Sequence, residues 1–102
     1  MSQASFKINQ AQQRVLRILL VLAGHEGEGV AQSAIARAIK TSDSRAFNDL
    51  RNLAEAGFVE KLANGNWRLG PKPVQISLAH QTGLARLKSQ VEEIQQRYSR
   101  QP

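Results

Sequence analysis

Residues 32–69 read QSAIARAIKTSDSRAFNDLRNLAEAGFVEKLANGNWRL, and the fold is decided there. Ile35, Ala36 and Ile39 stand at helical core spacing with Arg37 and Lys40 outside, which predicts a short helix over about 32–40. Thr41-Ser42-Asp43-Ser44 is a tight polar turn whose side chains can cap the next helix. Ala46, Leu50 and Leu53 then recur at i, i+4 and i+7, so a second helix is expected over about 44–56, with Asp43 as its cap at the positive end of the dipole and Gly57 as its stop. Two short helices joined by a tight turn form a helix-turn-helix.

After Gly57 the pattern changes period. Phe58 to Leu62 and Trp67 to Leu69 flank Ala63-Asn64-Gly65-Asn66, and Asn-Gly is the strongest two-residue hairpin signal. Such a turn would set Leu62 opposite Trp67 and Lys61 opposite Arg68, with Phe58, Leu62, Trp67 and Leu69 sharing a face. The hairpin reads as a wing. Gly70-Pro71-Lys72-Pro73 then breaks the strand and closes the unit.

Upstream, an apolar run from Val15 to Leu22 predicts a helix over about 10–23, with Ile8 as a staple residue, Asn9 as N-cap and Gly24 as left-handed C-cap. Val15, Leu16, Ile18, Leu19, Leu20, Val21 and Leu22 cover more than one stripe, so this helix wants burial on two sides. His25 to Gly29 is a turn by composition, and Val30-Ala31 can add a short strand. Downstream, about 74–98 is helical again, with Gly83 as the place where it can break. There Leu84, Leu87, Val91, Ile94 and Tyr98 recur at 3, 4, 3, 4, a coiled-coil seam of about two heptads. The expected fold is therefore α+β and mostly helical: a winged helix-turn-helix of three helices plus a β-hairpin wing, followed by a C-terminal helix. Its parts are a flexible arm over 1–8, the winged unit over 9–71, and a helix over 72–102 that serves dimerisation through Leu84, Leu87, Val91, Ile94 and Tyr98, with Leu16 and Leu20 of the first helix.

At 102 residues the chain has room for one domain with a modest core. Fourteen Lys and Arg against eight Asp and Glu leave a formal charge of +6, which favours a polyanionic partner, nucleic acid first. Basic charge also keeps a small protein soluble, so position has to decide. The chain has no cysteine, which rules out disulfides and thiolate metal sites. A polar N-terminus without a signal-like apolar run, and no apolar stretch near membrane-spanning length, point to the cytoplasm, with nucleoid association, and to no membrane.

Position supports DNA. On the helix over 44–56, the side opposite Ala46, Leu50 and Leu53 carries Ser44, Arg45, Asn48 and Asn52, with Arg51 on one flank. Arg pairs with guanine O6 and N7, Asn with adenine N6 and N7, and Ser with a base edge or phosphate. Any exposed helix face is polar, yet here Arg and Asn come directly after a helix-turn-helix turn. Asp49 runs against this, unless it accepts from a cytosine amine or pairs with Arg45 at i, i+4. The wing brings Lys61, Asn64, Asn66 and Arg68 toward phosphate or the minor groove, and Arg37 and Lys40 would fix register on the backbone. Arg14 and Arg17 read as solvated, as do Lys72, Arg86, Lys88, Arg97 and Arg100.

An enzyme is disfavoured: the chain has two His and no convergent carboxylates. His25 and His80 lie far apart, and His25 with Glu26 and Glu28 reads as a solvated loop before it reads as a metal site. The glycines of that turn lack the Lys-Ser/Thr of a phosphate loop. No cofactor and no metal is implied.

The stretch from Val15-Leu16-Arg17-Ile18-Leu19 to Gly70-Pro71 resembles the N-terminal domain of the isocitrate-lyase-regulator (IclR) type of bacterial regulators. The matching pieces are Ser33-Ala34-Ile35-Ala36-Arg37-Ala38-Ile39, Leu50 to Val59, and above all Trp67-Arg68-Leu69-Gly70-Pro71, where the family closes its wing. The resemblance implies homodimers on inverted repeats of double-stranded DNA, with the first and the post-wing helices in the dimer contact. It sets Ser42, Ser44, Arg45, Asn48 and Asn52 on the recognition-helix end and face. The turn Thr41-Ser42-Asp43-Ser44 departs from the family's apolar residue, Pro and basic residue, which puts backbone contacts there in question. No effector-binding domain is present in this sequence, so ligand sensing is not implied, and a domain of this size suits a phage or mobile-element regulator, with repression the expected sense. The competing function is a protein-binding winged helix, an adaptor or antirepressor whose C-terminal helix docks on another protein.

Overall fold

In the computed structural model, which describes residues 6–100, the chain runs α1 (Gln10–Leu22), α2 (Gln32–Ala38), α3 (Asp43–Glu55), β1 (Val59–Lys61), β2 (Trp67–Leu69) and α4 (Pro71–Ser99). It divides into two units between Lys72 and Pro73. Most of the expected arm over 1–8 lies outside the described residues; Ile8, expected as a staple, is exposed.

The first unit is a winged helix-turn-helix. Asn9 caps α1 by accepting from the Gln12 amide at 3.0 Å, and the chain leaves the helix through Gly24 at φ +88. Ile18 and Leu22 of α1, Ile35 of α2 and its C-cap Ile39, and Leu50 and Leu53 of α3 meet Val59 and Trp67 of the hairpin in one core. The four fully enclosed aliphatics, Ile18, Leu22, Ile35 and Leu50, each contribute about 1.5–3 kcal/mol by leaving water.

Ser42, rather than Asp43, is the N-cap of α3: its Oγ accepts from the Arg45 amide at 3.2 Å, and Asp43 sits inside the first turn. The turn before it is closed by a Schellman arrangement, in which the Thr41 amide reaches the Ala36 carbonyl and the Lys40 amide the Arg37 carbonyl. This places Lys40 at φ +56, the left-handed region that lysine enters only at a cost. At the far end of α3 the same arrangement recurs with Gly57 at φ +82, and the Phe58 amide reaches the Leu53 carbonyl.

The wing departs from the expected register by one residue. Val59 pairs with Leu69, Glu60 with Arg68, and Lys61 with Trp67. The loop has three residues, Ala63, Asn64 and Gly65, closed by the Leu62 amide on the Asn66 carbonyl at 2.7 Å and the Gly65 amide on the Leu62 carbonyl at 2.9 Å. Only Gly65 has positive φ, so this is a type I turn followed by a left-handed glycine, not the type I′ turn that needs both Asn64 and Gly65 left-handed. Val59, instead of Phe58 or Leu62, therefore shares the core face with Trp67. Val30 adds a one-residue antiparallel bridge to the other edge of β2, exchanging both backbone hydrogen bonds with Trp67 at 2.8 and 2.9 Å.

The second unit takes in α4 from Pro73 onward. The helix begins at Pro71, where a missing amide costs nothing, and runs unbroken through Gly83, about 44 Å in all. None of its residues is buried; Leu84, Leu87, Val91, Ile94 and Tyr98 lie on one face, 44–84% exposed. N-terminal to Leu84 the seam positions are the polar His80 and Ser77, while Val74 and Leu78 stand off that face.

Candidate nucleic-acid interface

Helix α3 buries Ala46, Asp49, Leu50 and Leu53, so its outward face is Ser44, Arg45, Asn48, Arg51 and Asn52, all exposed. Arg45 makes no side-chain hydrogen bond and no ion pair among the described residues. Asn52 is less free, because its amide donates to the Asn48 carbonyl one turn back at 2.9 Å. Ser42 and Ser44 lie 3.4 Å apart, Oγ to Oγ, at the start of the helix. Arg37 and Lys40 are exposed on α2 and its terminal turn.

Asp49 resolves the objection its charge raised. Arg45 does not take it; Arg14 of α1 does, with Nε donating to Oδ2 and Nη2 to Oδ1, the latter at 3.1 Å. Arg14 is thus not the solvated residue expected, and the pair is largely enclosed. The hydrogen bonds and charge of Asp49 hold the Arg14 guanidinium above its ordinary pKa, against the opposing effect of burial. Nothing in the sequence announces a contact between residues 35 positions apart.

The wing's polar residues turn largely inward. Asn64 and Asn66 both donate to the Glu28 carbonyl, at 3.2 and 3.1 Å, and the Asn64 Oδ1 also accepts from the Asn66 amide. Arg68 bonds Glu60 at 2.7 Å and the Glu26 carbonyl at 3.1 Å. Three of the four expected wing contacts therefore tie the turn over 25–29 to the hairpin and set its shape. Lys61 remains, its Nζ 5.6 Å from the Trp67 ring centre. Between α3 and the wing lies an open cleft of about 430 Å³ lined by Phe47, Arg51, Ala54, Glu55, Lys61 and Trp67. Arg51 stands 5.6 Å over Phe47, so both cations that border the cleft rest on aromatic faces. Phe47 is the cleft residue that sequence reasoning misses, although an aromatic on the recognition helix is plain to see.

On the side of α3 facing α1, Val15, Leu16, Leu19, Leu53, Ala56 and Phe58 line an apolar groove of about 280 Å³ with Asn52 at its rim. Leu16 and Leu20 project from α1, 54% and 77% exposed. Among the described residues no group of three His, Asp or Glu could hold a metal, and no helix is long and apolar enough to cross a membrane.

The model of the IclR helix-turn-helix domain matches residues 11–63, from the second residue of α1 to the wing loop. The chain belongs to this family. It is a family of DNA-binding domains of transcriptional regulators and not of enzymes. Among solved structures, HmgR of Pseudomonas aeruginosa is similar at 24% identity with a TM-score of 0.67, over 79% of this chain and 35% of that one. The repressor BlcR of Agrobacterium tumefaciens is similar at 22% identity and TM-score 0.64, over 96% and 39%. The IcIR transcriptional regulator of Alicyclobacillus acidocaldarius stands at 19% and 0.62, over 70% and 28%. At these identities the likeness is one of fold, and the chain spans about a third of the length of these proteins. No curated protein matches.

Within the IclR domain, the matched segment contains every residue of α2, α3 and β1 and stops short of β2. The winged helix-turn-helix architecture expected from the spacing of Ile35, Leu50 and Trp67 is the one observed, followed by the C-terminal helix.

Proposed function

We propose that this chain reads double-stranded DNA for a transcriptional regulator as a homodimer on an inverted repeat, with α3 in the major groove. The observation that carries the reading is the outward face of α3. It presents Ser44, Arg45 and Asn48 to solvent, with Arg45 committed to no internal partner among the described residues. Arg45 and Asn48 read bases there, and Ser42 and Ser44 meet the backbone or a base edge. Asn52, with one donor on the Asn48 carbonyl, keeps its oxygen for an adenine or cytosine amine.

A phosphate backbone leaving the major groove beside α3 is met by the cleft between helix and wing, where Arg51 and Lys61 supply charge. Arg37 and Lys40 hold the backbone from α2. Asn64, Asn66 and Arg68 contribute mainly by keeping the wing in shape, and Arg68 adds its charge to the field.

The dimer reading rests on α4. A 29-residue helix with no buried residue and an apolar seam from Leu84 to Tyr98 needs a partner surface, and a second copy in register supplies one. Leu16 and Leu20 on α1 offer a second apolar contact.

Selection of bound sites from a random duplex pool at about 150 mM salt tests the function. Enrichment of an inverted repeat with half-sites about one helical turn apart supports it. Salt-sensitive binding without enrichment overturns it in favour of a protein-binding role for the exposed α4 seam.

A further inference from the structure

Asp49 lies inside α3, one turn from Arg45 and next to Asn48, yet only 7% of it is exposed. A carboxylate on that helix is a hazard to DNA recognition in two ways. Its charge opposes phosphate, and at i, i+4 it can draw the Arg45 guanidinium away from a base edge. Arg14 removes both. Its fork engages Oδ1 and Oδ2 together from α1, so the charge of the carboxylate is compensated and each oxygen holds a donor.

The usual account, that a buried ion pair is there for stability, fits poorly. Desolvating two charges offsets much of their attraction, and apolar residues of similar size do as well.

We propose that Arg14 is a positioning residue for DNA recognition: by sequestering Asp49 it keeps Arg45 free to read a base. The inference rests on the reading of α3 as the major-groove helix. It makes the two halves of one ion pair unequal. Losing Arg14 leaves a buried carboxylate that recruits the nearest cation of its own helix, Arg45. Losing the charge of Asp49 leaves nothing to recruit it. A pair that served only the fold would be damaged from either side.

The experiment is selection from one random duplex pool with wild type, Arg45→Ala, Arg14→Gln, Asp49→Asn and the double variant Arg14→Gln/Asp49→Asn, each checked for helical content. Arg45→Ala identifies the base position that Arg45 reads, by a loss of preference of about tenfold. Arg14→Gln is expected to lose the same preference at the same position; Asp49→Asn and the double variant are expected to keep it. A folded Arg14→Gln that retains the preference overturns the inference, as does a folded double variant that lacks it. If Arg14→Gln fails to fold, Arg14→Lys takes its place: its ammonium cannot grip both carboxylate oxygens as the guanidinium fork does, so it is expected to lose part of that preference, and a folded Arg14→Lys with the full preference overturns the inference. A wild type that enriches no sequence overturns the DNA reading itself.

Discussion

A Cβ placed on Gly29 would stand 2.6 Å from the carbonyl oxygen of Trp67, closer than any side chain tolerates. Gly29 also has φ +71, and the next residue, Val30, makes the bridge that adds a third edge to the wing. Gly65, at φ +89 in the hairpin loop, has open space around it. The two glycines should therefore respond differently to alanine. Gly65→Ala carries the left-handed backbone cost alone, about 1–2 kcal/mol. Gly29→Ala adds displacement of backbone and loss of the Val30 bridge, at least about 3 kcal/mol in total. Urea titrations of both variants check this, and equal losses would mean that the bridge contributes nothing to the wing.

The cleft between α3 and the wing leads to a prediction about salt. Arg51→Ala and Lys61→Ala each remove a cation that borders it, and each should weaken binding to all duplexes alike while flattening the slope of log affinity against log salt by about 0.9. Arg68→Ala should behave otherwise, because its guanidinium is held by Glu60 and the Glu26 carbonyl. Its main effect is expected in the melting of the wing. Fluorescence anisotropy over a salt series separates the two kinds of loss.

How much of this was legible depends on the range of the interaction. The spacing of Ile35, Ile39, Ala46, Leu50 and Leu53 is local, and it placed α2, α3 and their buried faces. The hairpin was legible as a hairpin but not in its register. Asn64 keeps negative φ, and its side chain goes to the Asn66 amide and the Glu28 carbonyl, so the loop takes three residues and every cross-strand pair moves by one. The Glu28 carbonyl is 36 positions away, beyond any turn rule. The same limit hid the Arg14–Asp49 pair and gave Asp49 the wrong partners. Gly83 marked a possible break only because glycine lowers helix propensity; α4 continues through it.

The exposed seam of α4 should be where two copies meet. Leu87 and Val91 are 55% and 47% exposed at its centre, and aspartate at both positions would set like charges against each other across a two-fold contact. Leu87→Asp/Val91→Asp is expected to sediment as a monomer and to bind an inverted repeat about 100-fold more weakly or worse, because the second half-site contact is no longer intramolecular. A dimer that survives in analytical ultracentrifugation would move the interface to Leu16 and Leu20 of α1.

Lys40 offers the sharpest separation of stability from function. It occupies the left-handed position of the α2 terminal turn, φ +56, where glycine is the residue of choice. Nothing within the fold compensates it among the described residues: the Lys40 side chain is exposed and makes no hydrogen bond or ion pair. A backbone strain retained at an exposed cation is explained if the ammonium is used on DNA. Lys40→Gly should then raise stability by about 1 kcal/mol, or about 5 °C in Tm, and at the same time weaken DNA binding and flatten the salt slope by about 0.9. A gain in Tm without any change in the salt dependence would remove Lys40 from the interface and leave the strain at this turn without a role.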